Sequence, residues 1–208
     1  MMPVDPIVLL AFLPAALALN LTPGADMMFC LAQGMRGGAW PAVAASAGVS
    51  VGSMITVTLA GLGLGAVVAA APWLFGVIRW VGVAYLIWLA IQTLRSPFGG
   101  GDTPAVRPTR AFREGLVVNV SNPKVILFVL AFIPQFVDPG QGSVLAQFLL
   151  FGAVLALGGF VINGAVGYFA GGLGRVMARN VRVEQALRYA SATVFGALAG
   201  KLIWDSRT

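Results

Sequence analysis

The stretch Asn20-Leu-Thr-Pro-Gly-Ala-Asp26 interrupts the first long apolar run of the chain, which extends from about Val4 to Gln33. Pro23 and Gly24 disfavour a continuous helix, and Asp26 places a carboxylate among apolar residues. In hydrocarbon, the backbone groups that a break frees need partners, so a break must be covered by protein or line a wet cavity. The stretch therefore predicts an interrupted membrane helix with half of a binding site at the interruption.

The composition indicates a membrane protein. Hydrophobic residues make up 59% of the 208 residues and charged residues 10%, and the mean hydropathy is +0.90. A soluble domain carries roughly 25% charged residues, and a membrane helix needs about 20 apolar residues. We expect an all-α, polytopic membrane protein whose first run is retained as a helix. Its six spans are predicted at about 4–33, 41–70, 73–94, 112–136, 144–173 and 184–204.

The residue types exclude several kinds of chemistry. The sequence has no histidine and one cysteine, Cys30, which argues against a disulfide framework, a soft-metal site and a redox carrier. The phosphate-loop pattern G-x-x-x-x-G-K-[ST] is also absent from the sequence. We therefore expect no metal, no cofactor and no enzymatic activity.

Basic residues are unevenly shared between the two sides of the predicted bundle. The positive-inside rule places the arginine-rich side in the cytoplasm, so both termini are expected outside the bacterial inner membrane. The net charge of +6 is then a topology signal with contacts to anionic lipid, and no nucleic acid is expected as a partner. Nine arginines lie on one side and three basic residues on the other: Arg36, Arg95, Arg107, Arg110, Arg113, Arg175, Arg179, Arg182 and Arg188 against Arg79, Lys201 and Arg207.

An internal repeat divides the single transmembrane domain into halves at roughly 1–95 and 111–208, joined by a linker at about 96–110. Asn-Leu-Thr-Pro at 20–23 matches Asn-Val-Ser-Asn-Pro at 119–123, and the remaining spans of each half also correspond in order. Three spans per half is an odd number, so the halves would enter the membrane from opposite sides, as in many secondary transporters. The alternative is that glycine-rich apolar helices resemble one another by composition alone.

Each break is expected to start a new half-helix. Thr22 and Asn122 are good N-caps, and Pro23 and Pro123 are good first helical residues. Counted from the expected cytoplasmic ends, both prolines lie about 16 Å deep, near the midplane of a core about 30 Å thick. Two helix starts with unpaired N–H groups would form an anion site suited to a carboxylate.

The predicted substrate site combines the polar and small residues at the two breaks. Asp26 is also the candidate coupling residue and would take a substrate ammonium or a proton, although it could instead only complement its helix dipole. Lys124 could pair with Asp26, snorkel toward the cytoplasm or hold a substrate carboxylate. The site residues are Asn20, Thr22, Gly24, Asp26, Asn119, Asn122 and Lys124, with Pro23 and Pro123 as structural breaks and Asn163 as a lesser candidate.

Five stretches of the chain are distinctive: TPGAD from Thr22, the glycine-rich second span, VGVAYL from Val81, FREGLVVNVSNPK from Phe112 and FIPQFVDP from Phe132. Through these stretches the chain resembles, over essentially its whole length, the LysE/RhtB family of bacterial amino-acid exporters. Ala25 departs from the family pattern, which usually has a second proline at this position. The resemblance implies efflux of small amino acids or derivatives, driven by a proton gradient or the membrane potential.

Two other classes of function are alternatives to a secondary exporter of amino acids. A small channel or structural bundle without coupled transport has the same composition, and saturable, counter-ion-dependent flux would distinguish the exporter from it. A membrane enzyme would need more catalytic groups than one cysteine and one well-placed acid supply. Small-residue faces also allow a homodimer in the bilayer.

Overall fold

The structure is a computed structural model that describes residues 3–70 and 107–171, with isolated helical residues between 77 and 94 and between 182 and 204. Every regular element in these described parts is an α-helix or a 3-10 helix, which confirms the all-α prediction. The third and sixth predicted spans, apart from those isolated positions, lie outside the described residues.

The first predicted span consists of two helices. α1 covers Pro6–Leu21 and α2 covers Ala25–Gly37, and the two are bent by 53° at the break between them. Thr22 is the C-cap of α1, and its backbone N–H and hydroxyl donate to the Ala18 carbonyl at 2.9 and 2.5 Å. Because a proline disfavours the helical conformation in the residue before it, Thr22 is extended, with φ −68° and ψ 121°.

The prediction that Thr22 caps the second half-helix and Pro23 begins it is wrong. Gly24 is the N-cap of α2, and Asp26 is the second residue of that helix. Thr22 is instead the C-cap of α1, where its backbone N–H and hydroxyl both donate to the Ala18 carbonyl one turn earlier. The break is therefore a short extended segment rather than an immediate restart at the proline.

The fourth predicted span is broken in the same way. α3 (Ala39–Ala70) precedes it, α4 covers Pro108–Val120 and α5 covers Pro123–Ala131, and a 3-10 turn at Ile133–Phe136 prolongs α5. The bend between α4 and the helix that follows the break is again 53°. Asn122 caps α5 as predicted, since its side chain accepts a hydrogen bond from the Lys124 backbone N–H at 3.0 Å.

Two long helices hold the broken spans. α3 packs along α4 and along α6, which covers Val144–Tyr168, and α2 contacts both α3 and α6. Two 3-10 turns, Pro139–Gln141 and Phe169–Gly171, flank α6. Both α3 and α6 contain segments long and apolar enough to cross a membrane, and each broken span passes the same test as a bent pair.

Glycines bring the helix backbones into contact. A Cβ on Gly34 of α2 would overlap the Gly167 carbonyl of α6, and a Cβ on Gly48 of α3 would overlap the Phe112 carbonyl of α4. Crossings through small residues are typical of membrane helices, which gain little from apolar burial in lipid and depend on close packing. The glycines therefore set how closely the long helices approach the breaks.

A phenylalanine cluster fills the bundle on one side of the breaks. Phe12 of α1 is fully buried, and its ring centroid lies 4.8 Å from that of Phe151 on α6 and 5.4 Å from that of Phe136. Phe128 and Phe132 of the second broken span pack into the same cluster. The cluster closes the half of the bundle that contains α1 and α5.

Candidate functional site

The two breaks lie against each other. Lys124, the second residue of α5, reaches the end of α1, where its Nζ donates to the Leu19 carbonyl at 3.1 Å and to the Thr22 carbonyl at 2.9 Å. The last carbonyls of a helix lack intrahelical partners and carry the negative end of the helix dipole. Lys124 therefore satisfies carbonyls that the first break exposes, an arrangement that places the two breaks side by side as predicted.

Asp26 is held from the second broken span. The Asn119 side-chain amide, in the last turn of α4, donates to Asp26 Oδ2 at 2.9 Å. The Ser53 hydroxyl of α3 in turn donates to Asn119 Oδ1 at 3.3 Å. All three side chains are buried, and hydrogen bonds to a charged group in dry surroundings are strong. This chain of hydrogen bonds fixes the orientation of the carboxylate.

Three buried polar atoms around the breaks have no hydrogen-bond partner among the described residues: Asp26 Oδ1, Asn122 Nδ2 and Asn163 Oδ1. The Asn122 amide lies beside the Asp26 carboxylate without hydrogen-bond geometry. An unpaired buried polar group costs about 1–3 kcal/mol, so native structures contain few of them. Several at one place indicate a site that receives a polar ligand or water.

A small cavity lies between the breaks. Its volume is about 20 Å³, whereas one water molecule needs about 10–15 Å³, so the cavity is water-sized and does not hold an amino acid as it stands. Two acceptors without partners, Asp26 Oδ1 and Asn163 Oδ1, belong to residues that line it. Its polar lining in the described part of the chain consists of Asn20, Thr22, Asp26, Ser53, Lys124 and Asn163.

The structure sorts the predicted site residues into two groups. Asn20, Thr22, Asp26 and Lys124 line the cavity. The other three support those residues: Asn119 holds Asp26, Asn122 caps α5, and Gly24 makes room for Lys124. A Cβ at position 24 would lie 3.1 Å from Lys124 Nζ, which is tighter than an ordinary contact.

The expected pair of open helix starts is wrong for the second break. The Asn122 side chain already accepts the N–H of Lys124, so the start of α5 is capped. Gly24, the N-cap of α2, has no side chain and therefore supplies no side-chain cap to the first turn of that helix. An anion would therefore meet free N–H groups at α2, close to the Lys124 ammonium.

Ser53 is a cavity residue that the sequence analysis missed. Ser46 and Ser50 of the same helix donate to the Phe160 and Ala156 carbonyls of α6, at 2.9 and 3.0 Å. Residues 46, 50 and 53 recur at helical spacing, so the three serines share one face of α3. That spacing was the signal in the sequence, although it does not reveal which serine faces the site.

Comparison with known proteins identifies a family. The family model described as LysE type translocator matches residues 17–206. A homoserine/homoserine lactone efflux protein of Salmonella typhimurium is 37% identical over 146 residues, which cover 68% of this chain and 70% of that protein. A leucine efflux protein of an Enterobacter species is 30% identical over 157 residues, covering 72% and 73%.

A further relative has no assigned activity. An uncharacterized membrane protein of Vibrio cholerae is 34% identical over 146 residues, covering 69% of this chain and 71% of that protein. No solved structure shows a significant match to the chain.

Proposed function

The chain belongs to the LysE type translocator family, and we propose that it exports small amino acids or their derivatives across the bacterial inner membrane as a secondary transporter. Membership of this family makes the chain a membrane transport protein rather than an enzyme. Two of its relatives are named for efflux of homoserine, homoserine lactone and leucine. Those names support an amino acid or a close derivative as the substrate of this chain.

The observation that carries the proposal is the free side of the Asp26 carboxylate. Asn119 engages Oδ2, whereas Oδ1 has no partner among the described residues, and Oδ1 of Asn163, a residue that lines the same cavity, has none either. An ammonium has three N–H donors and no acceptor, so it matches a pair of unpaired acceptors, one of them charged. We assign the substrate ammonium to this pair.

The substrate carboxylate belongs at the start of α2. The uncapped N–H groups there and the Lys124 ammonium beside Gly24 are both positive. Homoserine and homoserine lactone, which name one relative, share an ammonium but not a free carboxylate. The ammonium subsite is therefore the anchor in this proposal, and the carboxylate subsite adds affinity for free amino acids.

Reciprocal contacts support two inverted repeats of three helices. Asn119, before the second break, packs against Gly52 of α3, whereas Asn20, before the first break, packs against Gly158 and Gly159 of α6. Asn20 also donates to the Leu155 carbonyl of α6 at 3.1 Å. Each asparagine thus contacts the long helix of the other half, as two inverted copies of one unit would.

Transport requires the two halves to move apart. The cavity is too small for an amino acid, and the phenylalanine cluster fills the bundle on the side of α1 and α5. With both termini outside and the breaks near the midplane, that cluster lies on the outer side of the site. Release would open the cluster, and loading would open the cytoplasmic half where α2 and α4 meet α3.

Asp26 is the proposed coupling residue. The same free oxygen that accepts a substrate ammonium could accept a proton, so binding of the two would be exclusive. Export of the amino acid in exchange for a proton then follows from competition for one carboxylate. A membrane potential acting on a cationic substrate derivative is the other driving force that the site allows.

Transport by purified protein in liposomes tests the proposal. Labelled leucine, homoserine and homoserine lactone should exchange across the bilayer with saturable kinetics and respond to an imposed proton gradient, whereas protein-free liposomes should not exchange them. Flux that rises linearly with concentration and ignores the gradient would favour a channel. Absence of flux for all common amino acids and for the lactone would overturn the proposal.

A further inference from the structure

The ammonium group of Lys124 lies at the C-terminal end of α1. The Leu19 and Thr22 carbonyls both accept hydrogen bonds from Lys124 Nζ, at 3.1 and 2.9 Å. These distances are typical of N–H···O bonds. The side chain that supplies the cation belongs to α5, in the other half of the chain.

Electrostatics favour the Lys124 ammonium at the C-terminal end of α1 rather than at the start of α5, the helix to which Lys124 belongs. Lys124 is the second residue of α5, where the positive end of the helix dipole disfavours a cation. At the end of α1 the same ammonium meets the negative end of a dipole and carbonyls without intrahelical partners. Because Gly24 has no side chain, the ammonium can reach this position.

Half-helix ends of this kind bind small cations in other transport proteins. Unwound backbone carbonyls and the C-terminal ends of broken helices coordinate the driving ion near the midplane. We propose that the Leu19 and Thr22 carbonyls form a monovalent-cation site and that the Lys124 ammonium is its tethered occupant. The site can accept Na⁺ or a small alkylammonium once the lysine is removed.

The consequence for transport rests on the proposed export function. With the tethered ammonium in place, the wild-type chain needs no Na⁺ to hold α1 against α5. When the Lys124 ammonium is removed, the end of α1 lacks a cation. Closure of the protein around its substrate then depends on a cation from solution. A Lys124 variant should therefore export its substrate only when a small cation is supplied.

Thermal unfolding of purified protein tests the site without any transported substrate. For Lys124→Ala, replacing choline by Na⁺ or methylammonium at about 100 times its Kd should raise the Tm by roughly 5–10 °C, because a ligand bound only to the folded state stabilises it. Wild type should show no such difference between cations. Arg110→Ala, which removes a positive charge from an exposed pair with Glu114, should behave as wild type.

Two results would overturn the inference. One is a folded Lys124→Ala protein with the same Tm in every cation, and the other is an equal Na⁺ response in wild type, which would place the ion elsewhere. If Lys124→Ala does not fold in choline, Lys124→Gln takes its place, and failure of both to fold in every cation also contradicts a site that accepts free cations. Since no amino acid is present, these results are independent of the liposome experiment.

Discussion

Asp26 and Lys124 occupy the same position in the two broken spans, since each is the second residue of the helix that follows a break. They carry opposite charges, and each is bound by the first half-helix of the other half of the chain. Asn119 of α4 binds Asp26, and the end of α1 binds Lys124. The two residues thus give the site one acidic and one basic end, as a zwitterionic substrate requires.

Asn119 positions the Asp26 carboxylate and does not contact the substrate in this proposal. Replacing Asn119 should therefore weaken substrate binding indirectly, through Asp26. In Asn119→Ala, Asp26 Oδ2 loses a hydrogen bond of about 1.5–3 kcal/mol, which corresponds to a rise in KM of roughly 10- to 100-fold. Thr58→Val is the matched control, because the Thr58 hydroxyl donates to the Met54 carbonyl of its own helix. An unchanged KM in folded Asn119→Ala protein would show that Asp26 needs no support.

The helix crossings should not tolerate a methyl group. Gly34→Ala would drive a Cβ into the Gly167 carbonyl, and overpacking of this kind costs about 1–3 kcal/mol. For a chain of this length the Tm should fall by roughly 2–4 °C per kcal/mol. Gly63→Ala, where nothing lies within 4 Å of the new Cβ, should leave the Tm unchanged or raise it. Equal effects of the two substitutions would contradict the close crossing.

The sequence predicts where the two spans are broken, but it predicts the helix caps at the breaks only in part. Asn122 and Pro123 begin α5 as expected, because an N-cap asparagine and a first-turn proline act within a few residues. The predicted start of α2 is two residues too early, because Thr22 is the C-cap of α1 and Gly24 is the N-cap of α2. A threonine suits the end of one helix as well as the start of the next, so the local pattern does not decide between the two.

The partners of Lys124 could not be predicted from spacing. Pairing with Asp26, snorkelling and substrate binding were all open, whereas the structure shows hydrogen bonds to carbonyls more than 100 residues earlier, with separations of 105 and 102 positions. Such contacts depend on how the two breaks are brought together, which is a property of the packed bundle. Ser53 was missed for the same reason, since nothing local separates it from the other serines of α3.

The cap at the second break should contribute measurably to stability. Asn122→Ala removes the acceptor for the Lys124 backbone N–H, a loss of about 1 kcal/mol that should lower the Tm by roughly 2–4 °C. Asn122→Ser keeps a capping oxygen and should retain most of the Tm. If Asn122→Ala and Asn122→Ser lower the Tm equally, the Asn122 side chain does not cap α5.

The proposed orientation can be tested with a pair of single cysteines in a Cys30→Ala background. A membrane-impermeant thiol reagent added to intact cells should label Ser206→Cys near the outer C-terminus and should not label Ser96→Cys in the arginine-rich linker. Permeabilised cells should show labelling of both. Labelling of Ser96→Cys alone in intact cells would mean that the chain is inserted the other way round.

The most direct measurement is substrate binding and proton-driven accumulation by Asp26→Asn protein in liposomes, compared with wild type. The substitution preserves the shape of the side chain and removes its charge, so the ammonium anchor should be lost and both binding and accumulation should fall sharply. Retained binding with lost accumulation would assign Asp26 to coupling alone. Normal binding and normal export across pH would contradict both roles and leave Asp26 as a residue that only complements the dipole of α2.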